Sequence, residues 1–121
     1  MVKALVVDDV RAMVDSLCRM LDLLVIQAEP AYGARAAIMY MNESTPDVVF
    51  MDLNMPGVGG MDVISYMARE PHLAEVPVIV VTSDDQPETA EQVRALGARA
   101  LLVKPVKLDD LEAVLKQIGL V

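Results

Sequence analysis

The sequence predicts an α/β fold: a doubly wound, five-stranded parallel sheet of order 2-1-3-4-5 with helices on both faces, the flavodoxin-like arrangement. Three observations lead there. Short apolar runs alternate with segments of helical spacing along the whole chain. The runs Ala4–Val7, Val48–Met51, Val78–Val81 and Ala100–Val103 are apolar without interruption, as strands covered on both faces are. Each run stops at polar residues: Asp8-Asp9, Asp52, Thr82-Ser83 and Lys104-Pro105. In an open parallel sheet all carboxyl ends lie along one edge, and that edge is where such folds bind ligands.

Taken in order, the first strand, Ala4–Val7, runs into Asp9, a candidate cap for a helix reaching about Leu21 with Met13, Leu17, Met20 and Leu21 on one side. Leu24–Ala28 reads as a weaker second strand, interrupted by Gln27. Pro30 and Gly33 turn the chain into a helix over Ala34–Met41, with Ala37, Ile38 and Met41 inward. The loop Asn42–Asp47 returns to the central strand, Val48–Asp52. Met55-Pro56-Gly57-Val58-Gly59-Gly60 leads to a helix over Met61–Arg69 whose core face is Val63, Ile64 and Met67. Pro71 and Pro77 bracket the connection into Val78–Val81. Pro87 at a first turn and Gly97 at a stop bound the fourth helix, Pro87–Leu96. Only Ala90, Val93 and Leu96 anchor it, so it is the element expected to shift most easily. After the strand Ala100–Val103, the three-four spacing of Leu108, Leu111, Leu115 and Ile118 marks the last helix.

A chain of 121 residues is expected to form one domain, 1–121, with a core of its own. Its longest apolar runs are strand-length, far short of the roughly 20 residues a bilayer span needs, and the first residues lack the pattern of a secretory signal. A cytoplasmic protein with no membrane contact is the expectation. The net charge of −8, with no basic stripe, argues against unaided nucleic-acid binding, which requires clustered Lys and Arg. Cys18 is the only cysteine and lies among Met13, Val14, Leu17 and Leu21, so a buried, inert thiol is expected. His72 has nothing around it that would form a site.

If the predicted strand order holds, Asp8, Asp9 and Asp52 are neighbours. Three carboxylates brought together repel one another unless one takes up a proton or a cation joins them. Oxygen donors without His or Cys suit Mg2+ better than zinc. With the cation present, a carboxylate can attack phosphorus and form an aspartyl phosphate. Asp52, alone at the end of the central strand, is the candidate nucleophile. Asp9 and Asp52 would hold the cation directly, Asp8 through a water, and the backbone carbonyl of Asn54 would add an oxygen. Lys104 and the Thr82 hydroxyl would contact phosphoryl oxygens. Each residue also has an ordinary explanation: Asp8-Asp9 as a helix cap, Thr82 as a strand residue, Lys104 as a solvated charge. What distinguishes the set is that all occupy the same relative place, the carboxyl end of a buried strand.

Val6-Val7-Asp8-Asp9, then Val49-Phe50-Met51-Asp52-Leu53-Asn54-Met55-Pro56 with Gly60 following, then Val81-Thr82-Ser83, then Leu102-Val103-Lys104-Pro105 resemble, in motif and interval, the receiver domain of two-component response regulators. The resemblance covers the whole chain. It implies a phosphoacceptor at Asp52, a Mg2+ site at Asp8 and Asp9, switch contacts from Thr82 and Lys104, and a cis bond before Pro105. It also implies a sensor histidine kinase or phosphotransfer protein as donor. A downstream protein target would be read through the fourth helix, last strand and last helix. Three positions depart from the family pattern: Leu101 stands where a switch Tyr or Phe is common, Gly59 where Asp or Asn often precedes the glycine, and Ser83 where alanine is common, which adds a hydroxyl beside the phosphoryl position. Asn54 and Asp84 would flank the path of attacking water and tune dephosphorylation. With nothing linker-like after Gly119, a stand-alone receiver is expected, against the receiver fragment of a longer DNA-binding regulator. A Mg2+-dependent phosphohydrolase with an aspartyl-phosphate intermediate is the reading from another class. Such enzymes commonly carry an acid/base Asp two residues after the nucleophile, where this chain has Asn54.

Overall fold

The computed structural model describes all residues from Met1 to Val121. Five strands, β1 (Lys3–Val7), β2 (Gln27–Ala31), β3 (Val48–Asp52), β4 (Val78–Thr82) and β5 (Ala100–Val103), alternate with five helices. The helices are α1 (Arg11–Leu23), α2 (Ala34–Glu43), α3 (Gly60–Arg69), α4 (Pro87–Ala95) and α5 (Leu108–Gln117). The sheet is parallel throughout, in the order β2-β1-β3-β4-β5. No helix is long and apolar enough to cross a membrane.

The uninterrupted apolar runs are explained by burial on both faces. In β3, Val49 and Met51 join the core shared with α2, α3 and α4, whereas Val48 and Phe50 join the one shared with α1 and α5. β1 and β4 divide in the same way, Leu5, Val7, Val78 and Val80 to one side, Ala4, Val6, Ile79 and Val81 to the other. The period of two along a strand therefore feeds two cores at once.

The second strand differs from its expected position. It lies at Gln27–Ala31, three residues later, and includes Pro30, which pairs in register with Val6. β2 is an edge strand with a single ladder, so a residue without an N–H and the exposed Gln27 and Glu29 are tolerated there. The apolar residues that suggested an earlier strand instead close α1: the Leu24 and Ile26 N–H groups both donate to the Leu21 carbonyl, at 3.0 Å each, and Ile26 is buried below them.

Asp9 does not cap α1. Val10 occupies the cap position without a side-chain bond, and it is Asp8 that accepts the Val10 N–H at 3.0 Å. The buried stripe of α1 is Val14, Leu17 and Leu21: Leu17 and Leu21 are inward as expected, Val14 takes the place of Met13, and Met13 and Met20 are half-buried. Cys18 is half-buried rather than buried; burial and then the neighbouring Asp15 raise its thiol, so it stays protonated. α4 buries only Thr89 and Val93. His72 has a structural task, its Nε2 lying 2.8 Å from the Met41 carbonyl and tying the connection after α3 to the end of α2.

Candidate functional site

Register carries the polar residues to one edge. Val7 pairs with Met51 and Asp52 with Val81, so Asp8 and Asp52 leave neighbouring strands at the same level. Beyond the last rungs the ladder continues through two backbone bonds, Asp8 N–H to the Ala31 carbonyl at 3.2 Å and Lys104 N–H to the Thr82 carbonyl at 2.8 Å. These bonds fix the backbones from which the Asp8 and Lys104 side chains reach inward.

The Lys104 ammonium lies between two buried carboxylates, 3.0 Å from Asp8 Oδ2 and 3.2 Å from Asp52 Oδ1. Asp9 is exposed but offers an oxygen to the same point: one oxygen each from Asp8, Asp9 and Asp52 lies within 4.8 Å of the others. An octahedral Mg2+ at about 2.1 Å from each ligand separates its donors by about 3 to 4 Å, so this all-oxygen set fits the ion. Burial, and then the Asp8 charge, push the Asp52 carboxyl up from its ordinary value; Lys104 and the Asn54 backbone act the other way without cancelling them. Burial pulls the Lys104 ammonium down, but its bonds to Asp8 and Asp52 outweigh that and raise it. The cluster carries more negative charge than its single ammonium offsets.

Beyond β3 the loop is held close by Gly60, whose N–H donates to the Leu53 carbonyl at 3.2 Å. A Cβ on Gly60 would overlap the Asp52 carbonyl and come within 2.9 Å of Leu53 Cα, so only glycine lets α3 start so near the carboxylate. Asn54 is exposed at the rim of this loop, and Ser83 is exposed beyond Thr82. The Lys104–Pro105 peptide is cis.

Thr82 is fully buried, and its hydroxyl accepts the Asp84 N–H at 3.2 Å. Asp84 borders a cleft with Asn54, Thr82 and Gln92, yet its carboxylate is already occupied. It accepts the Gln86 N–H at 2.9 Å and the Thr89 hydroxyl at 2.6 Å, and those bonds, Thr89 first, hold it below the usual carboxylate range. Sequence reasoning missed Thr89; the available signal was a hydroxyl residue in the first turn of α4, five residues after an aspartate. It also missed a cavity of about 130 Å³ beneath α1, lined by Met13, Ser16 and Met20, by Pro105 and Val106, and by Asp8, Asp52 and Lys104. Leu101 is half-buried against the core shared with α2, α3 and α4, and borders a shallow groove with Val103, Ala113 and Val114.

Residues 4–116 match the model of the response regulator receiver domain family. Over 121 residues the chain is 33% identical to Protein PilH of Pseudomonas aeruginosa, covering 100% of this chain and 98% of that protein. It is 29% identical over 118 residues to the phosphate regulon transcriptional regulatory protein PhoB of Escherichia coli, covering 96% of this chain and 51% of that protein. Among solved structures, the chemotaxis protein CheY4 of Vibrio cholerae superposes with a TM-score of 0.92 at 26% identity, over 98% of each chain. A response regulator receiver protein from Pseudomonas putida superposes with a TM-score of 0.87 at 31% identity, over 96% of each chain.

Proposed function

The chain belongs to the response regulator receiver domain family, and we propose that it takes a phosphoryl group from a histidine kinase or phosphotransfer protein onto Asp52 and thereby switches the binding of a protein partner. The observation that carries this reading is the Lys104 ammonium at 3.0 and 3.2 Å from Asp8 and Asp52, with an oxygen of Asp9 close by. Asp8, Asp9, Asp52 and the Asn54 carbonyl would hold Mg2+, which supplies charge neutralisation for the incoming phosphoryl oxygens.

An Asp52 oxygen attacks phosphorus, the bond from phosphorus to the donor imidazole nitrogen breaks, and its electron pair stays on that nitrogen. Lys104 follows the new negative charge from carboxylate to phosphoryl oxygen. Thr82, whose hydroxyl oxygen accepts only the Asp84 N–H, keeps its own proton to donate to a second oxygen, and Ser83 stands beside it at the rim. Recruitment of Thr82 favours one arrangement of the β4–α4 connection, by no more than the difference in phosphoryl contacts between the two arrangements.

The partner surface is the face of α4, β5 and α5, where Val103, 42% exposed, lines the groove beside Leu101 and Leu108 of α5 is 38% exposed. A leucine at 101 cannot stack or donate a hydrogen bond, so the face responds through movement of α4 rather than through an aromatic ring. The chain works as a signalling module rather than a turnover enzyme, because Asn54 offers no acid or base beside the nucleophile. Its place is the cytoplasm, with the kinase's catalytic region. Incubation with Mg2+ and acetyl phosphate tests the chemistry: the wild type gains the mass of one phosphoryl group and Asp52→Ala does not. A gain in both, or in neither, overturns the assignment.

A further inference from the structure

Asp84 links two parts of the molecule that are otherwise separate. Its N–H reaches the Thr82 hydroxyl at the sheet edge, and its carboxylate takes both the Gln86 N–H and the Thr89 hydroxyl, at 2.9 and 2.6 Å, in the first turn of α4. Thr89 is buried, with 9% of its surface exposed, and it is one of only two buried residues of this helix. A cleft of about 290 Å³ beside Asp84 is bordered by Asn54, two residues beyond Asp52, by Thr82 at the end of β4, and by Thr89 and Gln92 of α4.

From this geometry we infer that Thr89 is a positioning residue that sets the lifetime of the phosphoryl group, by holding the Asp84 carboxylate on the α4 wall of this cleft, away from the water that attacks the phosphoryl group on Asp52. The inference rests on Asp52 being the phosphoacceptor. Hydrolysis requires a water oxygen to bond to phosphorus while the bond from phosphorus to Asp52 breaks and returns its electron pair to the carboxylate. The water's proton needs an acceptor. A carboxylate free to turn toward the phosphoryl group orients that water and takes the proton; one held by the Gln86 N–H and the Thr89 hydroxyl is kept from reaching it. Because the same bond docks the first turn of α4, a partner that draws this turn away from the loop frees Asp84 and shortens the lifetime.

The test loads the full chain with acetyl phosphate and Mg2+, removes the donor, and follows decay of the phosphorylated species by intact mass at constant pH. Thr89→Val, which removes the hydroxyl and keeps the shape, is expected to shorten the lifetime about tenfold, short of the full effect of general-base catalysis because the acceptor is only released, not fixed. Thr89→Ser restores the wild-type lifetime. Thr89→Val combined with Asp84→Asn returns it to the wild-type value or longer, because no carboxylate is left to release. An unchanged lifetime in Thr89→Val overturns the inference, and so does a shortening that persists in the double variant, which assigns the effect to loosening of α4 alone. Failure of the wild type to take up phosphate would instead defeat the reading of Asp52. Circular dichroism and the midpoint of thermal unfolding show that each variant compared is folded.

Discussion

The Lys104 ammonium is bonded to the Asp8 carboxylate at 3.0 Å, across 96 positions of sequence, and so ties the segment after the last strand to the one after the first. The same ammonium is the only cation in contact with Asp52. Lys104→Met is therefore expected to leave two buried carboxylates facing each other without a counter-charge. Removing one partner of a buried pair costs about 3 kcal/mol, read as a lower urea midpoint in metal-free protein. Saturating Mg2+ should recover much of that loss, because the cation supplies positive charge to the same carboxylates. The pH sign is fixed by the raised Lys104 value: the pairing contributes fully below its ordinary value of 10.5 and is lost as pH rises through the higher folded value. A variant with wild-type stability at neutral pH would count against the pairing.

Asp52 behaves in the opposite sense. Burial, then Asp8, raise its carboxyl above the ordinary value of 3.8, so the folded protein binds that proton more tightly than the unfolded chain does. Stability falls as pH rises through 3.8 toward the folded value, and the penalty is complete above it. Asp52→Asn removes the penalty and is expected to stabilise metal-free protein at neutral pH by about 1 kcal/mol, the usual size of a single-substitution effect. The gain should vanish on acidification below the ordinary carboxyl range. Thermal unfolding of both proteins across pH, in a chelator, measures it; a variant less stable at neutral pH reverses the sign assigned here.

That Asp8, Asp9, Asp52 and Lys104 follow the carboxyl ends of buried strands was legible in the sequence for one physical reason. Strands buried on both faces cannot afford polar residues, so the first polar residue after each run marks a carboxyl end. β2 escaped because an edge strand is exempt from that rule: Gln27 and Glu29 face solvent, and Pro30 needs no second ladder. The capping of α1 escaped because Asp8 and Asp9 have the same chemistry, and only the geometry shows that Asp8 accepts the Val10 N–H. Thr89 escaped because its partner lies in a loop, where no periodicity relates the two.

Gly60 is expected to tolerate no side chain. With a Cβ overlapping the Asp52 carbonyl and pressing on Leu53 Cα, Gly60→Ala must push α3 away from β3. Overpacking of this kind costs about 1 to 3 kcal/mol, and the displacement is delivered to the loop that carries Asn54. The expected result is a lower urea midpoint together with slower phosphorylation by acetyl phosphate at saturating Mg2+. Wild-type values for both would show that the loop adjusts at no cost.

Val25 carries strain in the fold at a distance from the chemistry. Its N–H donates to the Asp22 carbonyl and the Ile26 N–H to the Leu21 carbonyl, each at 3.0 Å, which is the paired-bond ending that places the intervening residue in the left-handed region. Val25 has φ of 61°, and its side chain is 73% exposed, so the valine loses conformational energy there without gaining burial. A β-carbon in that region costs about 1 to 2 kcal/mol, partly offset on substitution by the larger unfolded-state entropy of glycine. Val25→Gly is therefore expected to stabilise the protein by about 1 kcal/mol, and Val25→Asn by less, since asparagine tolerates the region better than valine but keeps its β-carbon. Urea unfolding should show a higher midpoint at unchanged slope, which assigns the gain to the folded state's stability and not to a change in surface exposed. The rate of Asp52 phosphorylation should stay at the wild-type value, because Val25 precedes β2 at the amino end of the sheet, opposite the carboxyl edge. A lower midpoint in Val25→Gly would mean that the exposed valine makes a contact worth more than its backbone strain.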